Sequence, residues 1–277
     1  MATKISNFLK TLGPGILFAS TAIGVSHLVQ STRAGAEYGF DLLWLVLLTN
    51  LLKYPFFEYG SRYANATGTS LIDGYKRIGN WMLWLYFIIT IASMFFVTAA
   101  VAAVTAGFLD NLFGISSIIK NGTFITTIVL FISCFVVLVL GKYNALDKLI
   151  KIIASTLLVS TLLAFTLTLF KGPAEQISDF QTPEIWSTVG IGFMIALMGW
   201  MPTAVDLSTW NSLWTIERIK ETEYKPSLKE TLLDFNFGYI TSALLSICFI
   251  SMGAYLVFGT GKIMPDNSAG FANEVVN

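Results

Sequence analysis

Charged side chains are scarce in this sequence: they make up 12% of its 277 residues, against about 25% in soluble domains. The 17 basic residues balance the 17 acidic ones, so no net charge favours a nucleic-acid partner. The two cysteines, Cys134 and Cys248, are too few for a disulfide framework and lack the spacing of a zinc site. The one histidine has neither a paired nucleophile nor a zinc motif, so we predict neither an enzyme nor a bound cofactor.

Long apolar runs dominate the chain, in which 55% of the residues are hydrophobic. A helix that crosses a bilayer needs about 20 predominantly apolar residues. We therefore predict an all-α integral membrane protein that crosses the lipid bilayer several times. The predicted spans, about seven, cover residues 13–38, 40–63, 82–109, 123–141, 146–170, 187–214 and 231–258.

Lysine and arginine gather on one side of this predicted arrangement. If the N-terminus is cytoplasmic, twelve of them fall in inner segments and three in outer ones. Cytoplasmic loops of membrane proteins carry an excess of these two residues. We therefore expect a cytoplasmic N-terminus and a location in the plasma (inner) membrane.

The first predicted span is interrupted at its midpoint by Gly24-Val25-Ser26-His27. Glycine weakens a helix, and serine and histidine bring polar atoms into hydrocarbon, where burial without a partner costs about 2–7 kcal/mol. A helix that breaks at mid-membrane and places polar groups there is typical of a transporter's binding site. We therefore predict substrate contacts at Gly24, Ser26 and His27.

A second interruption is expected in the sixth predicted span, at residues 198–203. Pro202 lacks a backbone donor and clashes with the preceding turn, so the helix should open there. Opening frees carbonyl oxygens such as that of Met198, and the thioether of Met201 is a soft donor that favours transition metals. Asp206, a carboxylate inside a span, is costly to bury and therefore a functional candidate.

Each of these features also has a purely structural interpretation. A Gly-Val-Ser turn at 24–26 can serve close helix packing, and a lone membrane histidine, His27, can be a hydrogen-bonded interior residue. The second break can be an ordinary kink in the core. Asp206 can be neutralised by Arg33 or Lys53 as a structural ion pair.

Several motifs, taken together and in this order, resemble the Nramp family of divalent metal transporters. The resemblance covers essentially all 277 residues. The motifs are Leu12-Gly13-Pro14-Gly15, Arg33-Ala34-Gly35-Ala36-Glu37-Tyr38-Gly39-Phe40, Leu42-Leu43-Trp44, Gly60-Ser61-Arg62-Tyr63, Thr67-Gly68, Gly141-Lys142-Tyr143 with Leu146-Asp147-Lys148, and Met201-Pro202.

This resemblance implies a LeuT-type inverted-repeat transporter fold with broken helices 1 and 6. Residues 1–170 would form the first five-helix repeat, with its break at 24–27. Residues 171–277 would begin the second repeat, with its break at 198–203 and its last helices absent from this chain. The implied function is secondary transport of divalent metal cations by alternating access, with the metal ion as cargo rather than cofactor.

Departures from the family pattern fall in the predicted site. Where the family has Asp-Pro-Gly-Asn, whose Asp and Asn bind the metal, this chain has residues 24–27 without an acid. Met201 matches the family's methionine, Met198 its carbonyl-donating alanine, and Thr203 stands in place of a histidine. The third helix, 88–104, lacks the acidic residues that accompany proton coupling, so we expect that coupling to be lost.

The predicted site therefore binds soft or imidazole-preferring ions such as manganese, iron, zinc or copper better than hydrated magnesium. Two alternatives stay open: the same fold carrying a different small solute, and a membrane scaffold or sensor that does not transport. The sequence sets no oligomeric state. The predicted substrate contacts are Gly24, Ser26, His27, Met198, Met201, Thr203 and Asp206, and the predicted metal ligands among them are His27, Met198, Met201 and Asp206.

Overall fold

The computed structural model of the chain describes residues 10–262, 264 and 265. All regular structure in this part of the chain is helical, as the sequence predicts. In chain order the helices are α1 Pro14–Ala22, a π-helical segment Val25–Ser31, α2 Thr32–Tyr38, α3 Leu43–Thr67, α4 Leu71–Ile78, α5 Asn80–Phe113, α6 Ile115–Ile118, α7 Gly122–Lys171, α8 Thr188–Trp200, α9 Leu207–Thr222 and α10 Leu228–Leu256.

Helix α10 is the central packing element and contacts α1, α2, α3 and α7. Glycines bring its backbone against its neighbours. A Cβ atom at Gly238 would lie 1.9 Å from the carbonyl oxygen of Gly15 in α1, and one at Gly253 would lie 2.1 Å from that of Thr32 in α2. Small residues of this kind allow membrane helices to approach closely. One helix therefore holds both arms of the first broken helix.

The N-terminus of α1 is capped from α10. Its own N-cap residue is Gly13, which has no side chain to accept a hydrogen bond. The buried carboxylate of Asp234 instead accepts the backbone N–H groups of Gly13, at 3.1 Å, and Gly15, at 2.8 Å. A negative charge in this place satisfies free amide donors and interacts favourably with the helix dipole.

The fourth and fifth predicted spans form one continuous helix, α7, of 50 residues. The two predicted spans correspond to two apolar stretches of this helix, Gly122–Gly141 and Ala145–Lys171, which follow one another without a turn. Residues 142–145 contain no proline, and a single glycine such as Gly141 costs a helix only about 1 kcal/mol. Just beyond, Asp147 pairs with Lys151 one turn along at 2.5 Å and with Arg218 of α9 at 3.3 Å, which holds the helical path.

Apolar side chains cover the outside of the molecule. On α5 the side chain of Phe96 is 79% exposed, and on α7 that of Phe135 is 67% exposed. A continuous apolar surface of this extent suits lipid rather than water, and the chain is a multi-pass membrane protein. The described residues contain four helical stretches that are long and apolar enough to cross a membrane: Asn80–Phe113, Gly122–Gly141, Ala145–Lys171 and Leu228–Leu256.

Candidate functional site

Helix interruptions occur at both places where the sequence predicts them. The first lies at Ile23-Gly24, after which the chain winds as a π-helix before α2 begins. The second covers residues 201–206, between the end of α8 and the start of α9. Residues 198–200, predicted to be part of this opening, are still helical. Short π-helical turns are frequent at functional sites, because they shift side chains out of the regular helical register.

The second interruption contacts the π-helical segment at a buried serine. The hydroxyl of Ser31, at the end of the π-helical segment, donates to the sulfur of Met201 over 3.6 Å. The same hydroxyl lies 3.4 Å from the carbonyl oxygen of Ser26. Ser31 and Met201 are both fully buried. A thioether, a hydroxyl and a backbone carbonyl therefore lie side by side where the two broken helices touch.

His27 faces α10 and is fully enclosed by protein. Its Nδ1 lies 2.6 Å from the carbonyl oxygen of Ala22 and 2.9 Å from the hydroxyl of Ser26. Its Nε2 lies 2.9 Å from the carbonyl oxygen of Ser242 and 3.1 Å from that residue's hydroxyl. A neutral ring donates to only one of these two carbonyls: if Nδ1 donates to Ala22, Nε2 accepts from the Ser242 hydroxyl and remains beside the Ser242 carbonyl oxygen. The geometry agrees with the interpretation of His27 as a hydrogen-bonded interior residue.

At the second interruption the free carbonyls at the end of α8 contact a lysine. The Nζ atom of Lys53, on α3, donates to the carbonyl oxygen of Met198 at 2.6 Å and to that of Gly199 at 3.1 Å. The carbonyl of Leu197 is already bonded to the N–H of Met201 at 3.0 Å. An ammonium group at this end of a helix is favourable, because the last carbonyls lack amide partners and carry the negative end of the dipole.

Asp206 and Thr203 lie in or next to the open segment. Asp206 is half-buried just before α9, and its side chain forms no capping hydrogen bond there. It is paired with neither of the predicted partners, because Arg33 pairs with Glu37 at 3.3 Å and Lys53 binds the carbonyls of α8. Thr203 is buried.

Gly24 does not serve close packing. A Cβ atom placed on it would meet only the carbonyl oxygen of Thr21, at 3.7 Å, which is an ordinary contact. The structural interpretation of the turn as a packing device is therefore wrong for this glycine. Gly24 instead lies between an α-helix and a π-helical segment, where the backbone changes its winding. Glycine adopts the backbone conformation of such a turn more easily than other residues do.

The structure brings Met201 to the end of the π-helical segment, at Ser31, but directs His27 toward α10. Within residues 10–262, 264 and 265, no group of three or more His, Cys, Asp and Glu side chains is placed to hold a metal ion. Sequence reasoning missed Ser31 and Ser242, which carry no signal of their own. It considered Lys53 only as a partner for Asp206, although a lysine inside a predicted span was the available signal.

Comparison with known proteins gives the chain a family. The family described as natural resistance-associated macrophage protein-like (Nramp) matches residues 15–274. An uncharacterized protein of Pasteurella multocida is 34% identical over 268 residues, which cover 96% of this chain and 60% of that protein. The divalent metal cation transporter MntH of Chromohalobacter salexigens is 24% identical over 263 residues, 91% of this chain and 58% of that protein.

A plant relative shows the same extent of similarity at lower identity. The metal transporter Nramp3 of Oryza sativa is 22% identical over 270 residues, 94% of this chain and 47% of that protein. This chain thus spans between 47% and 60% of the length of these three relatives. Because the family match extends over nearly all of its residues, the chain belongs to the Nramp family.

Proposed function

We propose that the chain is a secondary transporter of divalent metal cations, and that the metal passes the point where its two broken helices meet. The observation that carries this proposal is the contact between Ser31 and Met201, whose oxygen and sulfur lie 3.6 Å apart where the two broken helices touch. Two interrupted helices that face each other are the usual construction of a transporter's site. The names of the metal-transporting relatives support the same cargo.

The donors at this junction suit a soft ion. The Met201 thioether is a soft ligand, whereas magnesium prefers oxygen ligands and loses its water reluctantly. No carboxylate contacts the Ser31–Met201 pair among the described residues, so an ion there depends on Asp206 for compensating charge. Asp206 lies half-buried in the same open segment. We therefore propose manganese, iron, zinc or copper as cargo, with Gly24, Ser26, Met198 and Thr203 lining its path.

His27 enters the proposal in a second position. Both of its ring nitrogens have protein partners, so a metal would have to displace Ser242 or Ala22 to reach it. We propose that this exchange takes place only in another state of the alternating-access cycle. The proposed fold for that cycle is the LeuT-type arrangement of repeats 1–170 and 171–277, with a cytoplasmic N-terminus in the plasma membrane.

Transport through this site is proposed to proceed without the usual proton coupling. The helix that corresponds to 88–104 lies within α5, whose one acidic residue is Asp110, close to its C-terminal end. The carboxylate of Asp110 accepts hydrogen bonds from Ser116, at 2.6 Å from its backbone nitrogen and 2.7 Å from its hydroxyl. It is thus engaged in a local turn rather than in a path across the membrane.

Uptake into liposomes tests the proposal. Purified protein is reconstituted around a metal-sensitive dye and challenged with Mn²⁺, Zn²⁺ and Mg²⁺. We expect entry of Mn²⁺ and Zn²⁺ but not Mg²⁺, and a loss of at least about tenfold in Met201→Leu, which removes the sulfur while keeping the volume. Met194→Leu, at a buried methionine within α8, is the matched control. Uptake that is equal in Met201→Leu and the unchanged protein would exclude the proposed site.

A pH-sensitive dye in the same liposomes tests the coupling. Metal entry without a change of internal pH is the expected result, and acidification in step with metal entry would show that protons accompany the ion. If none of the three metals enters, metal transport is excluded. The chain would then carry a different small solute, or act as a scaffold or sensor. The closed hydrogen bonding of His27 is the observation that favours that alternative.

A further inference from the structure

The end of α8 is shaped to bind a cation, and a side chain of the protein already occupies it. Two consecutive carbonyl oxygens, of Met198 and Gly199, converge on the Nζ atom of Lys53 at 2.6 and 3.1 Å. Lys53 comes from α3, 145 residues earlier in the chain, so the packing of the helices brings its side chain to this site. The ammonium group therefore fills a carbonyl site next to the point where the two broken helices meet.

Among the described residues, no acidic side chain forms an ion pair with this lysine. The acidic residue nearest along α3, Glu58, pairs with Arg62 at 2.6 Å. Asp206, in the open segment after α8, has no ion pair with Lys53 in the described part of the chain. Two backbone carbonyls at a helix C-terminus are therefore what holds the charge, as they would hold a free cation.

We propose that Lys53 is a tethered cation that occupies the carbonyl site at the end of α8 and competes there with the transported ion. A second positive charge at the same two oxygens would be repelled by the ammonium group. Metal can then bind through the Met198 carbonyl only when Lys53 withdraws. Lys53 thus becomes a specificity-determining residue that selects ions able to bind without this carbonyl. The competition rests on the proposed metal transport, whereas the occupancy of the site does not.

Removing the side chain should leave a vacant cation site. Lys53→Ala deletes three methylene groups and the ammonium group, and propylammonium contains the same atoms. We expect propylammonium to raise the melting temperature of purified Lys53→Ala in detergent by about 5–10 °C at a hundredfold excess over its Kd. It should have no such effect on the unchanged protein. 1-Propanol, which has nearly the same shape but no charge, should not stabilise the variant.

Lys148→Ala is the matched control for the alkylammonium arm. Lys148 is an exposed lysine on α7, far along the chain from the site. A similar response of Lys148→Ala to propylammonium, or no response of Lys53→Ala, would overturn the tethered-cation proposal. Lys53→Arg keeps the charge, so it should not respond to propylammonium and should bind Mn²⁺ with the Kd of the unchanged protein.

Metal binding to the same variants tests the competition. Calorimetry with Mn²⁺ should give a Kd at least about tenfold lower in Lys53→Ala than in the unchanged protein. Lys53→Gln, whose neutral amide can still donate to one carbonyl, should show the same gain and serves if the alanine variant does not fold. An equal Kd in all of them would overturn the competition.

The two arms separate this inference from the proposed function. If no variant binds Mn²⁺ while propylammonium still stabilises Lys53→Ala, metal transport fails and the tethered cation stands. If the unchanged protein transports Mn²⁺ and Lys53→Ala gains neither affinity nor a response to propylammonium, the transport proposal stands and Lys53 is only a helix cap.

Discussion

At the first interruption two residues, Ile23 and Gly24, separate α1 from the π-helical segment, whereas six residues, 201–206, separate α8 from α9 at the second. His27 closes the short gap: it reaches back across it to the backbone of Ala22 and also contacts Ser242 of α10. At the long gap the last carbonyls of α8 lack amide partners, and a lysine from another helix covers them. The first break is thus held by hydrogen bonds of its own helix and α10, and the second depends on a cationic side chain from α3.

The packing of the helices that flank the two breaks differs as well, in how closely the backbones approach one another. In α2, which follows the π-helical segment, a Cβ atom at Gly35 would lie 2.0 Å from the carbonyl oxygen of Ile250, whereas one at Gly24, in the break itself, has room. At the end of α8, beside the second break, a Cβ atom at Gly199 would meet nothing within 4 Å. An arm of the first broken helix is therefore locked against α10, and the end of α8 has open space beside it.

The largest effect is expected from crowding the tight side. Gly35→Ala should destabilise the protein by about 3 kcal/mol or more, because α2 and α10 must separate at a contact between backbones. Unfolding in detergent, followed by tryptophan fluorescence, measures this free energy. A loss below about 1 kcal/mol would mean that the two helices are not locked together as described.

Removing the side chain that closes the first gap should have the next largest effect. His27→Ala should cost about 2–4 kcal/mol, because it leaves a cavity and buried groups without partners. Ser242→Ala removes one hydroxyl and should cost about 1 kcal/mol, and the double variant should cost less than the sum of the two. A His27→Ala protein with unchanged stability but weakened metal binding would instead identify His27 as a ligand in the resting state.

At the open side, the same kind of substitution should be tolerated. Gly199→Ala should leave the free energy of unfolding unchanged or raise it by up to about 1 kcal/mol, because alanine favours a helix and its Cβ has room. The comparison with Gly35→Ala, made under identical conditions, tests the contrast directly. Equal losses from both substitutions would remove the distinction between a locked and an open break.

The smallest effect is expected outside both breaks, at the N-terminal cap of α4. The stability of this cap should depend on pH, so it serves as a reference for the substitutions at the breaks. Hydrogen bonds from the Ser70 hydroxyl, at 2.7 Å, and the Ser70 backbone N–H, at 2.9 Å, lower the pKa of the Asp73 carboxyl group. A carboxylate with a lowered pKa stabilises the folded state above its unfolded pKa of about 4 and loses that contribution as the pH falls through the folded value.

Amide hydrogen exchange of α4, corrected for the intrinsic rates, follows this cap. Protection should decrease below about pH 4 in the unchanged protein. Asp73→Asn should be less protected at neutral pH and should lack the acid-dependent step. The same step in Asp73→Asn would assign the acid sensitivity to another group.

Much of this arrangement could be predicted from the sequence, because its signals are local. Pro202 and the polar stretch at 24–27 mark the two interruptions to within a few residues, and the motifs identify the family. The continuity of α7 could not be predicted, because a polar interruption in hydropathy looks like a loop even where no residue stops a helix.

The partners of the site residues could not be predicted, because they are distant in sequence. Ser242 lies 215 residues from His27, and Met198 lies 145 residues from Lys53. The residue type alone, serine or lysine, does not indicate which backbone carbonyl the side chain will contact. Such pairs form only when the helices have packed closely. For the pair of Ser242 and His27, the glycines of α10 permit that close approach.

The glycine contacts of α10 also have a mechanical consequence. Gly238 presses on α1, Gly253 presses on α2, and Ser242 binds His27 between them, so α10 spans the first interruption from end to end. A gap bridged in this way cannot bend by itself, because changing the angle between its two arms would drive one of them into the α10 backbone. We therefore expect the two arms and α10 to move as one rigid body. A hinge of the molecule would then lie outside this unit.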